Sequence, residues 1–429
     1  MLHCQIIKKY TNKISFVVFT IACLIFAKNI FAIDCTNPCG AEELITCAAQ
    51  SRGISAEDLF NTVLFSTANL DGMCNNQFPG GTSAQKYFYN AYCPSQKGSY
   101  FSYQNFIAAT KSSPLFAEFG CAPGTSKASR YQELANFLAT VSQETTSVAS
   151  GYTNDGLYWR YEAGWLQGND PTNGPDGLDY ITPYFYSNVN SFWVAATSTI
   201  DYSNDQAIAS NQDTLETWTG NYWQGNPTGS GGNDNQYSMQ DPDQMLITTY
   251  TPPVSLDSST PVSTNLGSII RKQFWVGMGP KQLTGDSMMG FFGWYLLNLQ
   301  ENQSRQSNFY SFVNQYLTDG KLAFQGALWY WMKRINVSGA KPIHAIVTNP
   351  NNPVCQAIAI ATVLVNGRCN NFDPGRLTYY TYYMNKFGLK VEPYTMTDPN
   401  TGLTLDSLEC SNANVPQYTA LLNYCISNS

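Results

Sequence analysis

Two acids in this sequence, Glu144 and Glu162, have the type and spacing to act on one bond together. Cleaving a glycosidic bond needs one carboxyl that arrives protonated, to protonate the leaving oxygen. It also needs one that is ionised, to activate water or to stabilise positive charge. The intervening stretch SVASGYTNDGLYWRY contains Gly151 and Gly156, which let the chain fold back and bring the second acid across a groove from the first. Arg160, two residues before Glu162, is placed either to keep that carboxylate ionised or to form a plain surface ion pair. The chain has 30 acids, so spacing alone does not single out this pair.

The element that must hold Glu144 is a helical pattern from Ala128 to about Thr146, where Leu134, Phe137, Leu138 and Val141 recur at three- and four-residue intervals. Glu144 continues that stripe, three residues beyond Val141 and seven beyond Phe137, so it points to the core side or its edge. A carboxylate withdrawn from water in this way is expected to titrate high. The alternative is a Glu on a frayed last turn, facing solvent.

Other helices surround this one. Residues 48–68 fit a helix capped by Ser55, with Glu57 and Asp58 in its first turn. SYQNFIAATKSSPLFAEF is helical on both sides of a break at Pro114. KLAFQGALWYWMKRI reads as a buried helix, and NPVCQAIAIATVLVNG as a core helix stopped by Asn366 and Gly367. PGRLTYYTYYMNKFG runs from Pro374 to Gly388. Seven or so helices joined by long loops make a mostly α domain. Residues 169–268 differ, being rich in Asn, Gly and Ser yet punctuated by Phe192, Trp193, Trp218 and Trp223. They read as a structured insertion that either presents rings to a ligand or packs them in a small core of its own.

Composition narrows the setting. Of 429 residues only 12% are charged and 43% are hydrophobic, enough for a sizeable core beneath a neutral, polar surface. Lys8, Lys9 and Lys13 precede the apolar run ISFVVFTIACLIFA, and Ala32 stands near a cleavage point, so residues 1–32 read as a signal peptide, the alternative being an N-terminal anchor. Removing them, with four lysines and no acid, takes the formal charge from -7 to -11. That balance disfavours polyanionic partners, and no basic cluster interleaved with aromatics suits nucleic acid. Secretion is expected, to the exterior or a periplasm, with no stable membrane association once the signal is gone, and as a monomer. Ten cysteines remain, permitting up to five disulfides of undetermined pairing. With only His3 and His344 in the chain a Cys/His zinc site is not expected.

Several segments resemble, in the same order, those of the family 19 glycoside hydrolases, the lysozyme-like chitinases. FLATVSQETT is similar to that family's helix ending in His-Glu-Thr-Thr, which implies that Glu144 is the general acid; LYWRYEAG resembles the segment of the general base and implies that role for Glu162. GMGPKQLTG resembles the Gly-Arg-Gly-Pro-x-Gln-Leu-Ser/Thr loop, implying sugar contact for Gln282 and a water held by Thr284. VLVNG followed by GRLTYYTYYMNKFG resembles the closing pair of segments, implying substrate-side roles for Asn366 and Arg376, the latter beside Glu162. Tyr158 and Trp165 would contact sugar or pack in the core.

The resemblance covers roughly 53–168 and 269–390. It implies a lysozyme-like two-lobed α domain at 53–395, interrupted by the insertion. A Cys-containing extension at 33–52 pins the N-terminus, and a Cys-containing tail occupies 396–429. The implied activity is inverting hydrolysis of β-1,4-linked N-acetylglucosamine polymer, with chitin or chitooligosaccharide as partner and no metal or organic cofactor. Peptidoglycan glycan is a second candidate substrate, and an inactive glycan-binding protein a rival class. Three positions depart from the pattern: Gln143 replaces its His, Met278 its Arg, and Met288 falls where an Asn-Tyr-Asn group is expected. These changes touch the groove and leave both acids in place.

Overall fold

The computed structural model describes residues 33–77, 89–90, 92–93, 97–146, 154–160, 277–283, 288, 291, 294–295, 298–299, 309–334, 340–356, 358–366, 373–391, 393–408 and 415–428. The expected signal peptide, the insertion at 169–268, Glu162, Thr284 and Trp165 lie outside them.

The described residues are mostly α, with one short hairpin as their sheet. Helix α1 spans Ala41–Gln50. A turn at Gly53, whose φ of 69° suits glycine, separates it from α2, Ala56–Asp58, which continues as a π-helical turn over Leu59–Leu64. The expected single helix over 48–68 is therefore two, and the Ser55 cap is observed: its side chain accepts from Asp58 N at 3.0 Å. Next come α3, Gly72–Asn75, α4, Tyr103–Thr110, and α5, Pro114–Ala117, the last two separated by the Pro114 break. The long helix α6 covers Lys127–Thr145, capped by Ser126. After the undescribed stretch follow α7, Phe309–Thr318, α8, Gly320–Met332, α9, Ile343–Val347, α10, Ile358–Asn366, and α11, Asp373–Lys386. Strands β1, Thr395–Thr397, and β2, Thr404–Asp406, pair antiparallel with Thr395 opposite Asp406, and α12, Val415–Ser427, closes the chain.

The periodicity of α6 has the predicted consequence: Leu134, Phe137, Leu138 and Val141 are all buried. Phe137 is the hub, stacked at 6.0 Å on Phe106 of α4 and edge-on to Phe119 at 5.0 Å and to Trp331 of α8 at 5.6 Å. Helix α11 lies along α6, and α8 packs on α4, so the core runs from the first described helices to the last. One buried polar knot crosses it. Glu133 accepts from Gly120 N at 2.9 Å, from Trp331 Nε1 at 3.0 Å and meets His344 Nδ1 at 2.6 Å.

Among the described residues four disulfides are present: Cys35–Cys47, Cys39–Cys121, Cys74–Cys93 and Cys355–Cys425. Cys39–Cys121 and Cys355–Cys425 close long loops, tying the N-terminal segment to the turn before α6 and α12 to the residues before α10. Among the described residues no helix is long and apolar enough to cross a membrane.

Candidate functional site

The last turn of α6 is gripped residue by residue by sequence-distant segments. Ser142 Oγ shares a 2.6 Å hydrogen bond with the Tyr383 hydroxyl of α11. Gln143, standing where the resemblance implies His, lies against Gly375, where an added Cβ would come within 2.1 Å of its Oε1. Thr145 Oγ1 accepts from Leu157 N at 2.7 Å, and its carbonyl accepts from Tyr158 N and Trp159 N, both at 3.1 Å. Thr146 Oγ1 donates to Asp155 Oδ2 at 2.6 Å, and Tyr379 donates to the other oxygen of that carboxylate. The chain thus folds back on the helix end as Gly156 allows, and supplies partners for groups a helix C-terminus leaves open. Gly156 is needed for closeness: a Cβ there would lie 2.5 Å from Ser142 Oγ.

The returning segment, residues 157–160, is held on two sides. Asp71 N donates to Leu157 O at 2.7 Å, and Gly279 N donates to Arg160 O at 2.7 Å. Arg160 does not face open solvent, as a surface ion pair would. Its Nε donates to Asp71 Oδ1 at 2.8 Å, a second nitrogen binds Asp71 Oδ2, its Nη1 donates to Leu317 O at 2.8 Å, and its guanidinium lies 4.0 Å from the Tyr100 ring centroid. Both members of this bidentate pair are fully buried.

The Gly/Pro turn forms the third wall. Met278 and Leu283 bridge across it, with Leu283 N to Met278 O at 2.9 Å, and Gly279 adopts φ 73°, where any Cβ would strike Tyr316. Gln282, for which the resemblance implies sugar contact, uses its amide nitrogen on Gly279 O at 2.8 Å and Trp159 O at 3.3 Å. Met278 and Met288 are both buried in the core, which is where an uncharged side chain at these two positions has gone.

These walls meet at Glu144. Arg376, in the first turn of α11 and buried, donates from Nη2 to Glu144 Oε1 at 2.6 Å; Lys281 Nζ lies 3.5 Å from the same oxygen. Arg376, expected beside Glu162, binds Glu144; Glu162 lies outside the described residues. The lysine was not foreseen: at the unassigned position of the Gly/Pro motif it reads as a solvated turn residue, yet its side chain is 3% exposed. Glu144 itself is 24% exposed, at the edge of the buried face.

The expectation that Glu144 titrates high is corrected here. Burial does push it up, but Lys281 and then Arg376 outweigh that, and the carboxyl stands below its ordinary value. Burial dominates for Lys281: with Arg376 repelling it and Glu144 only partly compensating, it is pushed down to about 8.

Among the described residues three non-glycines have positive φ: Asp71 at 54°, Leu157 at 59° and Gln282 at 51°. Each belongs to one of the segments just described. Left-handed backbone at such residues costs on the order of 1–3 kcal/mol and collects where function demands a fixed geometry.

Tyr158 lies under Gly72 and its hydroxyl accepts from Asn76 at 3.0 Å, so it is tied to α3. Asn366 is the last residue of α10; its side chain is outside the described set. Among the described residues no group of three potential metal ligands occurs.

No protein-family model matches the chain, and no curated protein matches it. Among solved structures it is similar to chitinase C from Streptomyces griseus HUT6037, at 16% identity over 78% of this chain and 80% of that one, with a TM-score of 0.34. A likeness of that degree decides neither fold nor activity.

Proposed function

We propose that this chain is a secreted glycoside hydrolase that cleaves β-1,4-linked N-acetylglucosamine polymer with inversion, Glu144 acting as general acid and Glu162 as general base. The observation that carries the reading is convergence on one carboxylate. The Gly/Pro turn and the first turn of α11, far apart in sequence, place Lys281 and Arg376 on Glu144 at the helix end QET, and the return segment LYWR binds the neighbouring Thr145. They are also the segments that resemble the substrate-side segments of family 19 hydrolases. Two buried cations placed against one partly exposed carboxylate add little stability for their desolvation cost, and so favour a role for that carboxylate. The four disulfides fit an oxidising compartment.

In this scheme Glu144 gives a proton to the glycosidic oxygen while Glu162 takes one from a water on the opposite face of the sugar, which sets the two carboxyls about 6.5–9.5 Å apart. Arg376 and Lys281 hold Glu144 and stabilise the anion left after proton transfer. They also favour the ionised form beforehand, so activity should require mildly acidic conditions and fall as pH rises and Glu144 loses its proton.

Reducing-end release from N-acetylglucosamine oligomers tests this. Replacing Glu144 by Gln keeps the shape but removes the proton, and should lower kcat about 10²–10⁴-fold; a variant within a few fold of wild type excludes Glu144 as the acid. The lowered pKa of Glu144 also favours a second reading, a glycan-binding protein with no turnover. Tight oligomer binding without product would decide for it. Peptidoglycan assayed alongside separates the two substrates.

A further inference from the structure

We propose that Lys281 is a positioning residue for Glu144: with Arg376 it fixes Oε1, so that Oε2 alone carries the proton, and its charge sets how tightly that proton is held. Both cations approach the same oxygen, at 2.6 and 3.5 Å, while among the described residues no hydrogen bond or ion pair engages Oε2. A carboxyl clamped on one oxygen cannot rotate freely, and the proton is excluded from the side facing two positive charges. The donor oxygen is thereby chosen before any ligand arrives.

Among the described residues the lysine has no other anionic partner. From α6 it meets Glu144, from α11 Arg376, and from α8 the ring of Tyr330, with Nζ 5.1 Å from the centroid; Arg334, just past α8, lies 5.4 Å from the same centroid. Holding an ammonium in a buried place among other cations is unfavourable unless its one carboxylate compensates. The turn enforces the placement: Gln282 takes φ 51° and the Met278–Leu283 bridge closes the loop, so Lys281 stands at a fixed point between them. Because burial brings its own ionisation to about 8, the clamp loosens within an accessible pH range. As Lys281 loses its proton, Glu144, already ionised at that pH, keeps one cation instead of two.

The catalytic consequence rests on Glu144 being a proton donor; the electrostatic one does not, and the experiment separates them. The carboxyl carbon of Glu144 is titrated by 13C NMR in the full chain as wild type, Lys281→Met and Lys281→Arg, with the kcat–pH profile on N-acetylglucosamine oligomers measured in parallel. Loss of an opposite charge at this range should make Glu144 bind its proton about tenfold more tightly or better in Lys281→Met, carrying the descending limb of the profile to higher pH, with Lys281→Arg close to wild type. A Glu144 titration unmoved in folded Lys281→Met overturns the proposal. Should that variant fail to fold, the wild-type titration decides: a second inflection at Glu144 coincident with that of the Lys281 Cε resonance supports the coupling, and its absence overturns it. A shifted titration in a protein with no turnover retains the clamp and removes the hydrolase reading.

Discussion

Replacing Arg160 by Met should be among the most damaging single changes available in this chain. The pair it forms with Asp71 is 0% exposed on both sides, bidentate, and closed by a further hydrogen bond to Leu317 O and by the face of Tyr100. Removing one partner leaves the other buried without compensation, at a cost of about 3–5 kcal/mol, a large share of the roughly 5–15 kcal/mol that holds a domain folded. Replacing both at once, with Asp71→Leu and Arg160→Met, leaves no stranded charge and should recover part of that loss, less the strain of a Leu at φ 54°. Urea unfolding with disulfides intact, followed by circular dichroism, measures all four corners of the double-mutant cycle. The reasoning is refuted if Arg160→Met lies within about 1 kcal/mol of wild type, the value of a surface pair, or if the double variant is as unstable as the single one. Function should follow stability here. The backbone of Arg160 holds Gly279, and with it the turn that delivers Lys281 to Glu144.

The other expectations are briefer. Burial disfavours the charged imidazole of His344, but the Glu133 carboxylate outweighs it and raises the pKa above the ordinary His value. The stabilisation is therefore fully present below the unfolded pKa of about 6.5 and is lost as pH rises through the higher folded value. In His344→Gln that pH dependence should disappear, and a stability profile parallel to wild type would exclude the pairing. Gly156→Ala places a methyl 2.5–2.8 Å from Ser142 atoms on the helix end, and should cost about 1–3 kcal/mol and depress activity. An unfolding midpoint equal to wild type would mean that the return segment does not press on α6 as described.

Much of the scaffold was legible because its signals are local. The stripe of Leu134, Phe137, Leu138 and Val141 needs only the helical period to be read, and Ser55 and Pro114 act on their immediate neighbours. Helices α1 and α12 were not foreseen; their segments read as a pinned extension and a tail. The apolar residues of each gain meaning only from distant partners: Leu44 and Ile45 in the core, and Cys425 bound to Cys355. The site divides in the same way. Glu144 stood out as a charge on an apolar face. Arg160 drew attention to Glu162 two residues away, which lies outside the described residues, and its pairing with Asp71, 89 positions earlier, had no local signal. Lys281 gave no signal because a charge in a Gly/Pro turn ordinarily faces water, and its burial depends on Glu144, Arg376 and Tyr330 arriving from three other segments.

The most direct test is the anomeric form of the first product released from a β-1,4-linked N-acetylglucosamine oligomer, read by proton NMR before mutarotation. Attack by a water held on the face opposite Glu144 predicts the α anomer. Release of the β anomer, or no cleavage at mildly acidic pH, would contradict the assignment of Glu144 and Glu162 as an inverting acid–base pair.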